Sequence, residues 1–169
     1  MSLFILSQIL IGIAIVSDII TFQFKKRVHI LSFLLFSSTM ISMHFMCLGH
    51  WTAACLTLLG ASRYITSLFS TSKKILAVFI VVTVIISALT FEGLLSFLGC
   101  TGALFGCMAT FSSEDKHLRQ FMFICTSIWI IHNYLAVSPG AVLKELIFLS
   151  SNMTGYYRYY LRPQIQPLP

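Results

Sequence analysis

The chain is 169 residues long, with 57% hydrophobic and 9% charged residues and a formal net charge of +6, whereas soluble globular domains are roughly 45–50% apolar and about 25% charged. That balance excludes a water-soluble fold: at about 17–25 apolar residues per helical crossing, the chain divides into six or seven successive spans and leaves little for a soluble domain. The basic residues are scattered over short loops, which argues against nucleic acid as a partner and fits membrane topology.

In chain order, a first span over about 3–24 encloses Ser17 and Asp18 and ends at Lys25-Lys26-Arg27. It lacks a basic n-region and is full length, so it reads as a span and not as a cleavable signal. The second, about 28–48, leads to the turn Gly49-His50, and the third, about 51–69, carries Thr57, Gly60 and Arg63. The fourth, 75–89, is short and uncharged; the fifth, about 92–110, carries Gly99, Gly102 and Gly106, a small-residue stripe of the kind that lets membrane helices approach closely. A sixth span, about 118–137, is followed by Ser138-Pro139-Gly140 and a seventh running to about Tyr160. The prolines of the tail, 162–169, cannot continue a helix. The period-two alternation of barrel strands is absent.

Lys25, Lys26, Arg27, Lys73, Lys74, Lys116, Arg119, Arg158 and Arg162 fall on one side of these spans, while the opposite loops carry only His50 and Glu92. The positive-inside rule then places the N-terminus outside and the C-terminus in the cytoplasm, which needs an odd number of spans and so includes the short fourth one. Trp51 at one boundary and Tyr156, Tyr157, Tyr159 and Tyr160 at the other are expected as interfacial anchors. The five cysteines show no CxxC spacing and read as buried thiols, neither a disulfide frame nor a metal site. No Walker loop, HExxH or nucleophile elbow occurs, so neither an enzyme nor a cofactor is expected.

Shifting the sequence by 88 residues superposes His29 on His117, Phe33 on Phe121, His44 on His132, Ala53 on Ala141, Leu58 on Leu146, Ser62 on Ser150 and Thr66 on Thr154. The shift pairs span one with five, two with six and three with seven. The expected fold is therefore an all-α integral membrane protein of seven transmembrane helices, built as two parallel three-helix bundles (1–71 and 91–161) joined by a linker helix (72–90), with a cytoplasmic tail (162–169). Such parallel repeats are one architecture of transporters.

The pattern GxWTAAxLxLLGAxRxxxSL over Gly49 to Leu68, with FQxKxR at Phe22 to Arg27 and Arg119, Trp129, Glu145 and Gly155 downstream, resembles the YgjV-type family of bacterial inner membrane proteins. The resemblance spans nearly the whole chain and implies a multi-pass protein of the bacterial inner membrane. The three-plus-one-plus-three order is similar to the SWEET, PQ-loop and KDEL-receptor superfamily, which implies a solute or peptide cavity between two bundles, with the third helix of each contributing a polar residue. The PQ dipeptide is missing from the spans, and the sugar-contacting Asn of SWEETs falls near Thr57 and Glu145, a departure that puts sugar in doubt.

Ionisable side chains at membrane depth are costly and usually face a cavity or a partner. Counted at about 1.5 Å per residue, Asp18 and Arg63 both fall in the inner half and are expected to pair, as a structural lock or a gate. Glu145 and His132 share an outer layer, His44 and Thr57 join it through the repeat, and Trp129, His132 and Asn133 share a helix face. Those six residues are expected to line one outward-facing substrate pocket, or to satisfy one another between helices; Glu145 and His132 are placed to carry protons. Lys144, close to the outer turn, is expected to snorkel to the surface. The leading function is a SWEET-like carrier of a small polar or cationic solute, with the lipid bilayer and protons as further partners; a ligand-binding receptor or adaptor without net transport is the alternative. Homo-oligomerisation is left open.

Overall fold

The computed structural model describes residues 3–21, 23–91 and 93–162. The expected start of the fifth span at Glu92, Phe22 of the FQxKxR pattern and the tail beyond Arg162 lie outside the described residues. Among those described there are seven α-helices and no strand: α1 Leu3–Thr21, α2 Arg27–Leu48, α3 Trp51–Phe69, α4 Lys73–Leu89, α5 Leu94–Thr110, α6 Asp115–Leu135 and α7 Pro139–Tyr156, the last continuing into a π-helical turn Tyr157–Leu161.

The helix ends follow local chemistry. Gly49 caps α2 in the left-handed region at φ 78°, its N–H bonding Met46 O, while the His50 N–H reaches back to Phe45 O. That 6→1 and 5→2 pair is a Schellman motif. The same motif closes α6, where Ser138 N–H bonds Asn133 O and Val137 N–H bonds Tyr134 O, with Val137 at φ 51°. The two motifs are 88 residues apart. α4 begins at Lys73, two residues before the expected start, because the Ser72 hydroxyl accepts from the Lys74 N–H. Pro139 opens α7 at a position where its missing N–H costs nothing.

The helices are apolar outside and polar within. On α1, Ile5, Ile9, Ile13, Val16 and Ile20 are exposed, while Ser7, Ser17, Asp18 and Thr21 are buried beside Leu10, Ile11 and Ala14. On α4 only Thr83 and Ser87 are buried. Water would not support so large an apolar exterior; hydrocarbon does, and it drives the hydroxyls inward to bond backbone carbonyls. By length and apolarity alone, α1 and α2 qualify as bilayer-crossing helices, with mean hydropathies of 2.4 and 1.7, and α5 is a shorter apolar helix.

α2 packs between α1 and α3, and α6 between α5 and α7; the two groups meet along two seams, α1 against α7 and α3 against α5, with α4 laid on α5 and α3. Two apolar clusters fill the interior. One, including Ile30, Leu31, Ala109 and Leu118, lies near the basic helix ends; the other, including Ile11, Ala14, Phe45 and Ala53, lies toward Gly49. At the basic end, Arg27 donates to Ser112 O (3.1 Å), Ser67 O (3.1 Å) and Thr110 O (2.8 Å), satisfying carbonyls that the ends of α3 and α5 leave without intrahelical partners. Arg119 ties α6 to the α1–α2 loop through Phe24 O at 2.9 Å.

Candidate functional site: a charged cavity between two seams

A cavity of about 80 Å³ lies between the two apolar clusters, sharing Leu34, Tyr64 and Met122 with one and Ile41 and Phe45 with the other. Its polar wall is Asp18, Ser37, Thr57, Arg63, Lys144 and Glu145, with Trp129 as the aromatic face.

α1 and α7 run side by side in the same direction, since Gly140 lies against Gln8 and Ile11 and the Ser151 hydroxyl donates to Ile19 O at 3.3 Å. Lys144 therefore starts about 9 Å along the helix axis from the level of Asp18, at about 1.5 Å per residue. Its stem covers the gap, helped by the lean of the Asp18 side chain toward the α1 N-terminus. Lys144 Nζ donates to Glu145 Oε1 at 2.8 Å, lies 3.3 Å from Asp18 Oδ2, and sits 4.9 Å from the Phe148 ring centroid. The expectation that Lys144 snorkels to the surface is thus corrected: it is buried, and it reaches inward because two carboxylates wait there. Asp18 Oδ1 and the Ser37 hydroxyl are both buried in the cavity wall, with Ser37 within hydrogen-bonding reach of the carboxylate and no other partner for either atom among the described residues.

The expected Asp18–Arg63 pair is not formed. Arg63 is held across the other seam by neutral acceptors of α5: Nε donates to Thr110 Oγ1 (3.2 Å), and Nη1 to Ala103 O (3.3 Å) and Cys107 Sγ (3.1 Å). No ion pair joins it to a carboxylate among the described residues. The reason is the helix order, which sets α3 against α5 and α1 against α7.

The glycine stripe has a use the sequence did not reveal. A Cβ on Gly102 would come 2.9 Å from the Trp129 indole nitrogen, and one on Gly106 would come 2.8 Å from Arg63 Nη2. The stripe seats two side chains of the cavity wall instead of a bare helix backbone. Trp129 is further fixed between Phe45, stacked at 6.4 Å, and His132, edge-on at 4.8 Å.

Of the six residues expected to line the pocket, Thr57, Trp129 and Glu145 do so. His44, His132 and Asn133 are buried behind the wall: His44 Nδ1 lies 2.9 Å from Ser7 O, and His132 Nδ1 lies 3.1 Å from Asn133 Oδ1. Glu145 takes Lys144 as its partner at 2.8 Å. Ser37 and Cys125 were missed, although each stands seven residues before one of the repeated histidines, two turns along the same helix.

The walls match under the 88-residue shift. From α2 and α6 come Leu34 and Met122, Ser37 and Cys125, Ser38 and Thr126, and Ile41 and Trp129. From α3 and α7 come Leu56 and Lys144, Thr57 and Glu145, and Gly60 and Phe148.

An apolar exterior wrapped around buried charges defines a helical membrane protein with a polar interior site. The chain belongs to the Imp-YgjV family of bacterial inner membrane proteins, whose profile matches residues 5–163. It is 30% identical over 138 residues to the inner membrane protein YgjV of Escherichia coli (strain K12), covering 82% of this chain and 72% of that one. No solved structure matches it.

Proposed function

We propose that all seven helices cross the inner membrane and that α1–α3 and α5–α7 act as two bundles, related by a pseudo-two-fold axis along the membrane normal and joined by α4, that carry a small polar solute by alternating access. The N-terminus is outside and the C-terminus is cytoplasmic. The observation that carries this reading is the cavity wall, made from equivalent positions of the two halves. A site on the axis between two repeats is the place about which the repeats rock in carriers. The matched Schellman motifs support the same repeat. Apolar clusters flank the cavity on both sides, and in this reading the Arg27 contacts part when it opens at the basic end. In this reading any coupled proton binds at Asp18 or Glu145, which face the cavity, and not at His132.

The test is counterflow in proteoliposomes across a panel of small polar solutes. Saturable counterflow of at least one solute, abolished by Lys144→Met, is expected. Saturable binding without flux would replace the carrier by a receptor or adaptor.

A further inference from the structure

The two seams are of opposite character. The α1–α7 seam holds two carboxyl groups, Asp18 and Glu145, around the single ammonium of Lys144, and so has one acidic group more than it has cations. The α3–α5 seam holds Arg63, whose hydrogen bonds go to Thr110, Ala103 and Cys107, all neutral. Both poles border one cavity. Each pole also has donor or acceptor capacity left over. Asp18 Oδ1 and Ser37 Oγ, at 1% exposure each, have only one another within reach, which leaves oxygen lone pairs free on both, and Arg63, which also reaches Tyr64, turns Nη2 toward Gly60 and Gly106. A guanidinium has five N–H donors in a fixed fork suited to a carboxylate.

We infer that the cavity binds a small zwitterion that bridges the two seams, its ammonium donating to Asp18 and Ser37 and its carboxylate accepting from Arg63. The inference rests on reading this cavity as the solute site. A cation alone would leave the guanidinium without an anion, and an anion alone would leave the acidic pole uncompensated; in a medium of low dielectric both are costly. A zwitterion satisfies both ends at once and adds no net charge. The volume of about 80 Å³, against the roughly 10–15 Å³ that one water needs on the same kind of measure, leaves room for a small solute. Because one pole lies on each seam, such a solute would also hold the bundles together around itself.

The experiment is binding to the purified full-length protein in detergent, using glycine, β-alanine and γ-aminobutyrate as zwitterions of increasing charge separation, with methylammonium and acetate as single-charge probes. At least one zwitterion is expected to bind about tenfold or more tightly than either single-charge probe. Arg63→Gln should collapse the preference over methylammonium and Asp18→Asn the preference over acetate, while Arg63→Lys restores part of the former. A readout that needs no variant is protection of Cys125 from alkylation, expected with the zwitterion and absent with methylammonium or acetate. Equal binding of a single-charge probe, or binding of none of the five, overturns the inference. Zwitterion binding without counterflow would leave it standing and remove the carrier reading; counterflow of an uncharged polyol without zwitterion binding would do the reverse.

Discussion

Lys144 offers one charge to two carboxylates, so the triad responds unequally to the loss of its members. Lys144→Met leaves Asp18 and Glu145 buried with no cation, and breaking a buried pair in this way costs about 3–5 kcal/mol. Asp18→Asn leaves the Lys144–Glu145 contact of 2.8 Å in place and is expected to cost about 1–2 kcal/mol. Reversible unfolding in mixed micelles would rank the two variants; an equal or reversed order would mean that Lys144 is not the hub. The four charges of the cavity were all legible as ionisable residues in apolar runs. Their partners were not, because pairing depends on which helices are neighbours, and the lysine stem reaches up or down with equal ease. The histidines misled for a related reason. His44 and His132 are rare residues at matching positions, but a buried imidazole is as well served by Ser7 O or Asn133 Oδ1 as by a ligand, and the linear spacing does not separate the two uses.

At the scale of the elements, the loop after α6 closes with the same motif as the loop after α2 although its residues differ, Val137 and Ser138 standing where the first has Gly49 and His50. A β-branched residue at φ 51° is in a region that L-residues enter at a cost of about 1–2 kcal/mol. Val137→Gly is therefore expected to stabilise the protein by about 1 kcal/mol, read as a higher unfolding midpoint; an unchanged or lower midpoint would show that the turn carries no such strain. The helices themselves were largely legible, since apolar run length and loop chemistry fix their number, and α3 spans Trp51–Phe69 as expected. The ends of α2, α4 and α5 at Leu48, Leu89 and Thr110 also fall as expected, whereas two starts come early: Ser72 caps α4 at Lys73, and α6 begins at Asp115, which lies 3.8 Å from Arg119 one turn on. The glycine stripe was visible but its use was not, because a missing Cβ admits a backbone, an indole or a guanidinium equally well.

For the whole molecule, the proposed repeat rests on lining positions that match in number but not in chemistry. Positions 88 residues apart wall the cavity, yet Leu56 and Thr57 correspond to Lys144 and Glu145. The sequence showed the shift through a few coincidences, none of them at a cavity-lining position; the wall positions that match under the shift are all different residues, so identity could not reveal them. The two seams were likewise invisible, since α1 meets α7 and α3 meets α5 across long stretches of chain. Cys125 lies in the cavity wall and is a reporter of whether the cavity opens to both sides of the membrane. In a variant that keeps Cys125 as its only cysteine, a small membrane-impermeant methanethiosulfonate is expected to label it in right-side-out and in inside-out vesicles alike. Labelling from one side only, or from neither, would contradict alternating access through this cavity.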